Sequence, residues 1–304
     1  MAVAGESVWL DDGRRIGYAV YGAGEGRPVM FFTGTPGSRL DGRVGDAGVI
    51  ARERGVRVIV VERPGYGLSD RESGRRVVGW ADDVRQVADR LELDRFAAYG
   101  YSGGGPHALA CGARIPERVT AVAAVSGSGV SGIPGALEGM GPNEKLLHHL
   151  TRISPRLVDA VYRLVRRNAR RNPDRFFRDL EKDCSDSDRS LLQDESIREA
   201  VRASVLEAFR SGVGGAVDDW VAVGRRPWGF RPEDVRAPTA LVYGDADRIV
   251  PVAHGRDLAR RIPEAHFREI PGEGHLLIIA RLGEILDALD AAANSARSTS
   301  ERAE

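Results

Sequence analysis

The stretch Phe96–Cys111 constrains the fold of this chain more than any other. Its first residues, Phe96–Tyr99, form an apolar run typical of a buried strand, and its last residues indicate a packed helix. Between them, Gly100–Gly104 reads G-Y-S-G-G, a G-x-S-x-G pattern. A serine at a sharp strand-to-helix turn takes strained backbone angles, and glycine neighbours leave room for the chain to fold back. We therefore predict that Ser102 is a nucleophile, with the amide of Gly103 facing a developing oxyanion.

Length and charge exclude several classes of protein. A chain of 304 residues with 42% hydrophobic content can bury a large core. The 44 basic and 44 acidic residues balance, so nothing favours a nucleic-acid partner or an acidic membrane surface.

Cys111 and Cys184 are the only cysteines, which predicts a reducing compartment and no disulfide. The first residues lack a signal-peptide pattern, and no apolar run approaches the roughly 18 residues of a membrane span. A cytoplasmic protein is expected.

Strand-like and helix-like segments alternate along most of the chain. Apolar runs such as Val56–Val61, Val119–Val125 and Thr239–Gly244 are typical of buried parallel strands. This alternation predicts an α/β protein with a doubly wound, mostly parallel sheet. Residues 131–226 break the pattern, because they contain helix-like segments and no convincing strand. We predict a core of residues 1–130 and 227–292, an inserted all-helical cap of residues 131–226, and a flexible tail of residues 293–304.

A nucleophilic serine needs a base, and the base needs a carboxylate to orient it. His275 follows a strand in Gly272-Glu273-Gly274-His275, which places it at the sheet edge where ligands bind. Asp247 also comes just after a strand and is the predicted acid, with Asp245 as the alternative. Of the other histidines, His107 is interpreted as a packing residue, and no histidine pair has metal-ligand spacing with carboxylates. We predict neither a metal nor a cofactor.

Four segments resemble motifs of the cap-bearing α/β-hydrolase superfamily, over about residues 7–292. The elbow at Ser102 resembles its nucleophile elbow, Gly244-x-x-Asp247 its acid loop, and Gly274-His275 its histidine loop. The loop Arg63–Ser69 is similar to the one that these proteins carry after their fourth strand. The resemblance implies an α/β-hydrolase fold and a triad in the order serine, aspartate, histidine.

A further segment, Thr33–Ser38, looks like the superfamily's His-Gly-x-Pro-Gly oxyanion loop. Thr33 stands where histidine is usual in that loop. The resemblance implies that the amide of Thr35 is the second oxyanion donor, beside the amide of Gly103. A threonine hydroxyl can brace the loop but reaches less far than an imidazole, so the substitution bears on loop geometry and catalytic rate.

The superfamily hosts many reactions and some non-catalytic proteins, so the fold alone cannot choose among them. Ser102 argues against dehalogenases and epoxide hydrolases, which need an aspartate nucleophile. The leading hypothesis is a serine hydrolase that cleaves a carboxylic ester, or a related acyl bond, of a small, neutral, apolar substrate. Alternatives are an amidase or aminopeptidase, a carbon–carbon bond hydrolase, and a binding protein or biosynthetic helper on a hydrolase scaffold. The oligomeric state stays open, with a dimer among the options.

The predicted substrate pocket lies between the elbow and the cap. Its candidate lining residues are mostly aromatic: Gly34, Tyr101, Tyr162, Phe176, Phe177 and Trp220. An arginine-rich stretch follows in the cap, with Arg163, Arg166, Arg167, Arg170, Arg171, Arg175 and Arg178. These arginines alternate with an apolar stripe, which favours the solvated face of an amphipathic helix over an anion-binding site.

Overall fold

An eight-stranded sheet forms the centre of the protein. The computed structural model describes residues 5–130 and 132–301, with side chains up to residue 295. The strands are β1 Glu6–Trp9, β2 Arg15–Gly22, β3 Arg27–Phe32, β4 Val56–Val61, β5 Phe96–Tyr101, β6 Val119–Val125, β7 Thr239–Gly244 and β8 His266–Ile270. Their order is β1-β2-β4-β3-β5-β6-β7-β8. Only the pairings of β1 with β2 and of β2 with β4 are antiparallel, which confirms the mostly parallel sheet.

Helices cover both faces of this sheet. They are α1 Ala47–Glu53, α2 Trp80–Arg90, α3 Gly105–Arg114, α10 Ala253–Arg261 and α11 Leu277–Glu301. Helices α2, α3 and α10 pack on one face in a cluster that includes Phe32 and Leu241. Helices α1 and α11 pack on the other face against Phe31 and Tyr99. The doubly wound arrangement predicted from the alternating pattern is confirmed.

The backbone is helical close to the end of the chain, where α11 ends at Glu301. The flexibility predicted for residues 293–304 from their small and polar side chains stays a prediction. Residues 302–304, like residues 1–4 and Ser131, lie outside the described part of the chain. No helix within the described ranges is long and apolar enough to cross a membrane.

Between β6 and β7, the described residues form six α-helices, which we call the cap helices. They are α4 Pro142–Ile153, α5 Pro155–Arg171, α6 Pro173–Leu180, α7 Asp186–Leu191, α8 Glu195–Ala208 and α9 Gly214–Gly224. They share an apolar cluster that includes Val158, Phe177 and Phe209, and Tyr66 from the core packs into it. Six of the seven arginines named above are exposed and Arg166 is half-buried, as expected for a solvated helix face.

Helix α9 is the cap helix that sequence patterns miss. It opens with two glycines, Gly214 and Gly215, which are poor helix formers, and it lacks a clear polar face. Gly215 is needed because the start of the helix lies against the loop after β4. A Cβ at this position would be 2.6 Å from the carbonyl oxygen of Gly65. Asp219, in the middle of this helix, becomes central to the site described next.

Candidate active site

Ser102 occupies the turn between β5 and α3 in the strained conformation that its motif predicts. Its φ is +53°, in the left-handed region that L-residues rarely adopt. A Cβ at Gly100 would lie 2.1 Å from the carbonyl oxygen of Gly104, and a Cβ at Gly104 would lie 2.1 Å from that of Phe32. The glycines are therefore required by the fold, because the turn returns the chain directly over the ends of β3 and β5.

His275 and Asp247 form a buried pair beside this turn. The His275 Nδ1–Asp247 Oδ2 distance is 2.8 Å, and both side chains are almost fully shielded from solvent. The second carboxylate oxygen of Asp247 accepts the backbone N–H groups of Ile249 and Val250, each at 2.8 Å. Burial lowers the pKa of His275, but Asp247, followed by Asp188 and Glu144, raises it above its ordinary value. The pair therefore stabilises the imidazolium that forms when His275, as a neutral base, accepts a proton.

Asp245, the alternative acid, has a different place in the structure. Its Oδ1 accepts the backbone N–H of Gly272 at 2.7 Å, so it braces the turn after β8 against the end of β7. Of the two aspartates, Asp247 is the one hydrogen-bonded to His275. This geometry favours Asp247 as the orienting carboxylate.

The loop after β3 lies directly against the elbow. A Cβ at Gly103 would be 2.4 Å from Thr35 Oγ1, and a Cβ at Gly34 would be 3.5 Å from the Ser102 Cβ. The backbone of Thr35 and that of Gly103 thus border the same space above Ser102. This proximity is compatible with the predicted oxyanion site, whose two donors stay a prediction.

Arg63 holds this loop through three hydrogen bonds. Its guanidinium donates to the carbonyl oxygens of Thr33 (2.5 Å) and Gly34 (3.1 Å) and to Thr35 Oγ1 (3.2 Å). The Arg63 side chain is fully buried at the start of the loop after β4. A guanidinium presents several donors in a rigid fork, so one side chain can fix three acceptors of the loop.

Asp219 of α9 is the counter-charge of that arginine. Its Oδ2 accepts hydrogen bonds from Arg63 Nη2 (2.6 Å), Tyr66 Oη (2.8 Å) and Thr35 Oγ1 (2.9 Å), and its Oδ1 accepts one from Arg75 (2.5 Å). Burial alone would raise the pKa of Asp219, but Arg63 and Arg75 hold it well below the usual range. A cap helix is thus joined to the loop after β3 through one ionised carboxylate.

His107 of α3 lies next to this network and stays neutral. Burial, with Arg63 adding to it, lowers the pKa of His107 to about 3. Its Nδ1 donates to the carbonyl oxygen of Gly103 at 2.9 Å, while its Nε2 is 4.0 Å from Asp219 Oδ1. The side chain therefore supports the elbow helix, in keeping with its interpretation as a packing residue.

We predict that Asp219→Asn destabilises the protein far more than Asp218→Asn. The change at Asp219 leaves the fully buried Arg63 without its counter-charge and Arg75 with Asp218 alone, at 3.7 Å; breaking a buried pair costs about 3–5 kcal/mol. Asp218 hydrogen-bonds the half-exposed Arg71, a kind of pair that contributes about 0–1 kcal/mol, and it lies 3.7 Å from Arg75, whose hydrogen bond to Asp219 the control leaves intact. Urea unfolding of the two variants measures the difference. Equal losses of stability would show that the buried network does not hold the cap helices to the core.

A cavity of about 620 Å³ opens above Ser102. Ser102 and His275 both contribute to its wall, and the Tyr101 ring lies 4.9 Å from the His275 ring. On one side the cavity is bounded by cap residues such as Leu147 and Val165. On the other it continues between the sheet and helices α1 and α11, along apolar residues that include Phe31, Val58, Tyr99 and Leu282. The space on both sides of Ser102 is therefore mainly apolar.

Five of the six predicted lining residues border this cavity. They are Gly34, Tyr101, Tyr162, Phe176 and Trp220. Phe177 does not, because it points into the cap cluster with Arg198 stacked 4.0 Å over its ring. Helical spacing separates it from its neighbour Phe176, so only one of the two adjacent aromatic side chains can face the cavity.

Carboxyl groups are the main polar feature of the cavity wall. Glu144 of α4 and Asp41 both line it, and burial raises the pKa of each to about 7. Asp183 lies close enough to Glu144 to raise its pKa further. Arg175 is the one arginine or lysine among the described lining residues, and it sits 3.8 Å from Asp179. The wall therefore offers little positive charge to a ligand.

Sequence reasoning gave no role in the site to four polar residues, namely Asp219, Asp188, Glu144 and Arg63. Asp219 lies on a helix that was not predicted, and Asp188 and Glu144 are two of many acidic residues in the cap. Arg63 alone carried a signal, because it opens the loop whose resemblance to the superfamily is noted above. Within the described ranges, no group of three histidine, cysteine or acidic side chains could hold a metal ion.

A match to a known protein family gives the class to which this chain belongs. A family model described as the alpha/beta hydrolase fold matches residues 27–281, so this protein belongs to that family. This match confirms the family resemblance that was inferred from the motifs at Ser102, Asp247 and His275.

Individual relatives point to hydrolases. The chain is 27% identical over 257 residues to 2-hydroxymuconate semialdehyde hydrolase of Pseudomonas putida, which covers 83% of this chain and 82% of that protein. It is 29% identical over 227 residues to 2-hydroxy-6-oxononadienedioate/2-hydroxy-6-oxononatrienedioate hydrolase of Paraburkholderia phymatum, covering 73% and 70%. A solved bromoperoxidase from Bacillus anthracis superposes with a TM-score of 0.70 at 21% identity over 96% of this chain and 100% of that one, a likeness of fold.

Proposed function

We propose that this protein is a serine hydrolase that cleaves a carboxylic ester, or a related acyl bond, through an acyl-enzyme. The observation that carries the proposal is the buried His275–Asp247 pair, 2.8 Å apart, on the same cavity as a serine held at φ +53°. A serine, a histidine and an orienting carboxylate are the groups that nucleophilic acyl transfer needs.

The reaction proceeds in two halves. Ser102 Oγ attacks the carbonyl carbon of the substrate while its proton passes to His275 Nε2, and Asp247 stabilises the imidazolium that forms. The C–O bond to the leaving alcohol then breaks as His275 returns the proton to that oxygen. In the second half a water molecule attacks the carbonyl carbon of the acyl-enzyme and gives a proton to His275. The bond between that carbon and Ser102 Oγ then breaks, the acid is released, and His275 returns the proton to Ser102.

The oxyanion of each tetrahedral intermediate would be held by the amides of Gly103 and Thr35. These two residues adjoin each other above Ser102, and Arg63 restrains the Thr35 side of the pair. Donors that are already oriented need little rearrangement when charge develops, which makes such groups effective in catalysis. In this proposal Arg63 replaces the bracing that a histidine at position 33 supplies in the superfamily.

The cavity favours neutral, apolar acyl groups. Its wall is apolar on both sides of Ser102, so acyl and alcohol portions of an ester can each bury apolar surface. Anionic groups would meet Glu144 and Asp183, whereas Arg175 is already beside Asp179. The ionised forms of these two groups repel a like charge more strongly in a site of low polarity than in water, so a carboxylate on the substrate should weaken binding.

We predict that activity rises several-fold per added acyl carbon until the cavity is filled. Each buried methylene contributes about 0.8 kcal/mol, and about 1.4 kcal/mol corresponds to tenfold in kcat/KM. The measurement is a series of p-nitrophenyl esters from acetate upward, run beside hemisuccinate-type anionic esters. A clear preference for the anionic esters that is lost in Arg175→Gln would contradict this substrate class. Arg171→Gln, on the exposed face of α5, is the matched control.

Labelling tests the proposal directly. A fluorophosphonate should modify Ser102 alone, and the labelled peptide identifies the residue by mass spectrometry. No labelling of the folded protein would favour the binding-protein alternative on the same scaffold.

A second candidate is hydrolysis of a carbon–carbon bond by the same residues. It is supported by the similarity to the two hydrolases of 2-hydroxymuconate semialdehyde and of 2-hydroxy-6-oxononadienedioate. The second of these names denotes a dicarboxylate, which the acidic wall around Glu144 does not favour. Turnover of 2-hydroxymuconate semialdehyde, followed by its absorbance, at a higher kcat/KM than any ester in the series would make this the principal activity.

A further inference from the structure

The start of cap helix α7 lies against the loop that carries His275. Ser185 and Asp188 form a capping box: Ser185 Oγ accepts the N–H of Asp188 (3.2 Å), and Asp188 Oδ2 accepts the N–H of Ser185 (3.0 Å). Such a box needs only the helix's own backbone as its partner. Here the same carboxylate also bonds to a different part of the chain.

Asp188 accepts two backbone N–H groups of the histidine loop. Its Oδ2 is 3.1 Å from the amide nitrogen of His275 and its Oδ1 is 2.7 Å from that of Leu276. The neighbouring Ser187 Oγ accepts the N–H of Gly274 at 2.9 Å. Three consecutive amides of the loop therefore donate to two adjacent residues of the cap, and none of these bonds is required by helix capping.

The packing at this contact is tight. Asp188 has no exposed surface. A Cβ at Gly274 would lie 2.0 Å from Ser185 Oγ and 2.2 Å from Asp188 Oδ2. The glycine before His275 is thus required by the approach of a cap helix. Asp188 therefore has three backbone N–H donors for its two buried carboxylate oxygens, which are well satisfied as acceptors.

We propose that Asp188 is a positioning residue for His275, which fixes the backbone of the histidine loop and supplies a second negative charge to the imidazole. This inference rests on the proposed function, in which His275 accepts and returns a proton. It also means that the surroundings of the catalytic base include a residue of the cap, because the core provides Asp247 but not Asp188. The active site is then fully assembled only when α7 is docked on the histidine loop.

Four groups face His275 from the elements packed around it. Asp247 follows β7, Asp188 belongs to α7, Glu144 belongs to α4, and the ring of Tyr101 lies at the end of β5. Asp247, Asp188 and Glu144 each raise the pKa of His275, in that order, against the effect of burial. Asp188 differs from the other two carboxyls because it also bonds the backbone of the loop.

The test is the pH profile of kcat/KM in Asp188→Asn, with Ser187→Ala as the matched control. Neutral His275 is the base, so activity falls as the pH drops through its pKa. Loss of the Asp188 charge lowers that pKa, so we expect the acid limb to move to lower pH and the plateau of kcat/KM to fall by about tenfold. Ser187→Ala removes a hydrogen bond to Gly274 but no charge, so it should lower the plateau without moving the acid limb.

A second readout does not depend on activity. NMR titration of ¹³C-labelled histidine gives the pKa of His275 itself, assigned by the resonance that His275→Ala loses; the chain has six histidines. We expect a lower pKa in Asp188→Asn than in the wild type. If Asp188→Asn does not fold, Asp188→Ser, which is smaller and also neutral, answers the same question.

The two proposals fail in different ways. An unchanged His275 pKa and acid limb in folded Asp188→Asn, or an equal shift in Ser187→Ala, would overturn the role of Asp188 while wild-type acyl transfer remains. A wild type that neither reacts with fluorophosphonate nor hydrolyses any acyl substrate would overturn the proposed function. The NMR titration would then still decide whether Asp188 acts on His275.

Discussion

Ser102→Ala is expected to abolish acyl transfer and leave the fold intact. The change removes one oxygen from a cavity wall, and alanine can take the place of serine without adding atoms to the turn. Loss of the serine nucleophile of a serine–histidine–aspartate triad costs about 10⁶-fold in kcat. The measurement is single-turnover hydrolysis of the best p-nitrophenyl ester, with thermal unfolding to confirm that the variant is folded.

Combination with His275→Ala provides the control. If the serine and histidine act as one unit, the double variant should be about as slow as either single variant. A double variant that is slower than both by the product of their effects would show that the residues act independently, and would contradict the proposed mechanism.

Asp247→Asn is expected to lower kcat by about 10⁴-fold, as an amide in place of an orienting carboxylate does in comparable triads. Asp247 Oδ2 accepts from His275 Nδ1 at 2.8 Å, and an amide nitrogen at that position cannot accept. The amide also carries no charge to stabilise the imidazolium. Its oxygen can still accept the N–H groups of Ile249 and Val250, so the turn should persist.

Asp245→Asn is the matched control for this prediction. It lies two residues away, and its contact with the N–H of Gly272 needs only one acceptor oxygen, which asparagine retains. We expect kcat within a few-fold of the wild type. If Asp245→Asn is the damaging change and Asp247→Asn is mild, the acid has been assigned to the wrong aspartate.

Much of the core was predictable because its signals are local. Strands β4, β6 and β7 have the bounds that their apolar runs predict, since a strand buried on both faces is apolar along nearly its whole length. The elbow at Ser102 was predictable because its glycines are required by contacts within a few residues and with the adjacent strand. The placement of Asp247 against His275 agrees with motifs that each follow a strand end, although their catalytic roles stay proposals.

The helices of the cap were largely predictable, but the side chains that they turn toward the cavity were not. Amphipathic spacing identified α5, and the solvated position of its arginines follows from that spacing. Helix α9 was missed because it is apolar on several sides and begins with glycines. Which of two adjacent aromatics, Phe176 or Phe177, faces the cavity depends on the rotation of α6, which helical periodicity alone does not specify.

The sequence by itself therefore determined the sheet, the elbow and the three residues of the proposed triad, because each depends on a short segment and the strand beside it. Only the tertiary structure decided what supports them. Asp219 meets Arg63 across 156 residues, and Asp188 meets the amide of His275 across 87. A carboxylate in the cap acquires such a partner only when the cap helices settle on the core, since no local pattern distinguishes it from the acids left in solvent.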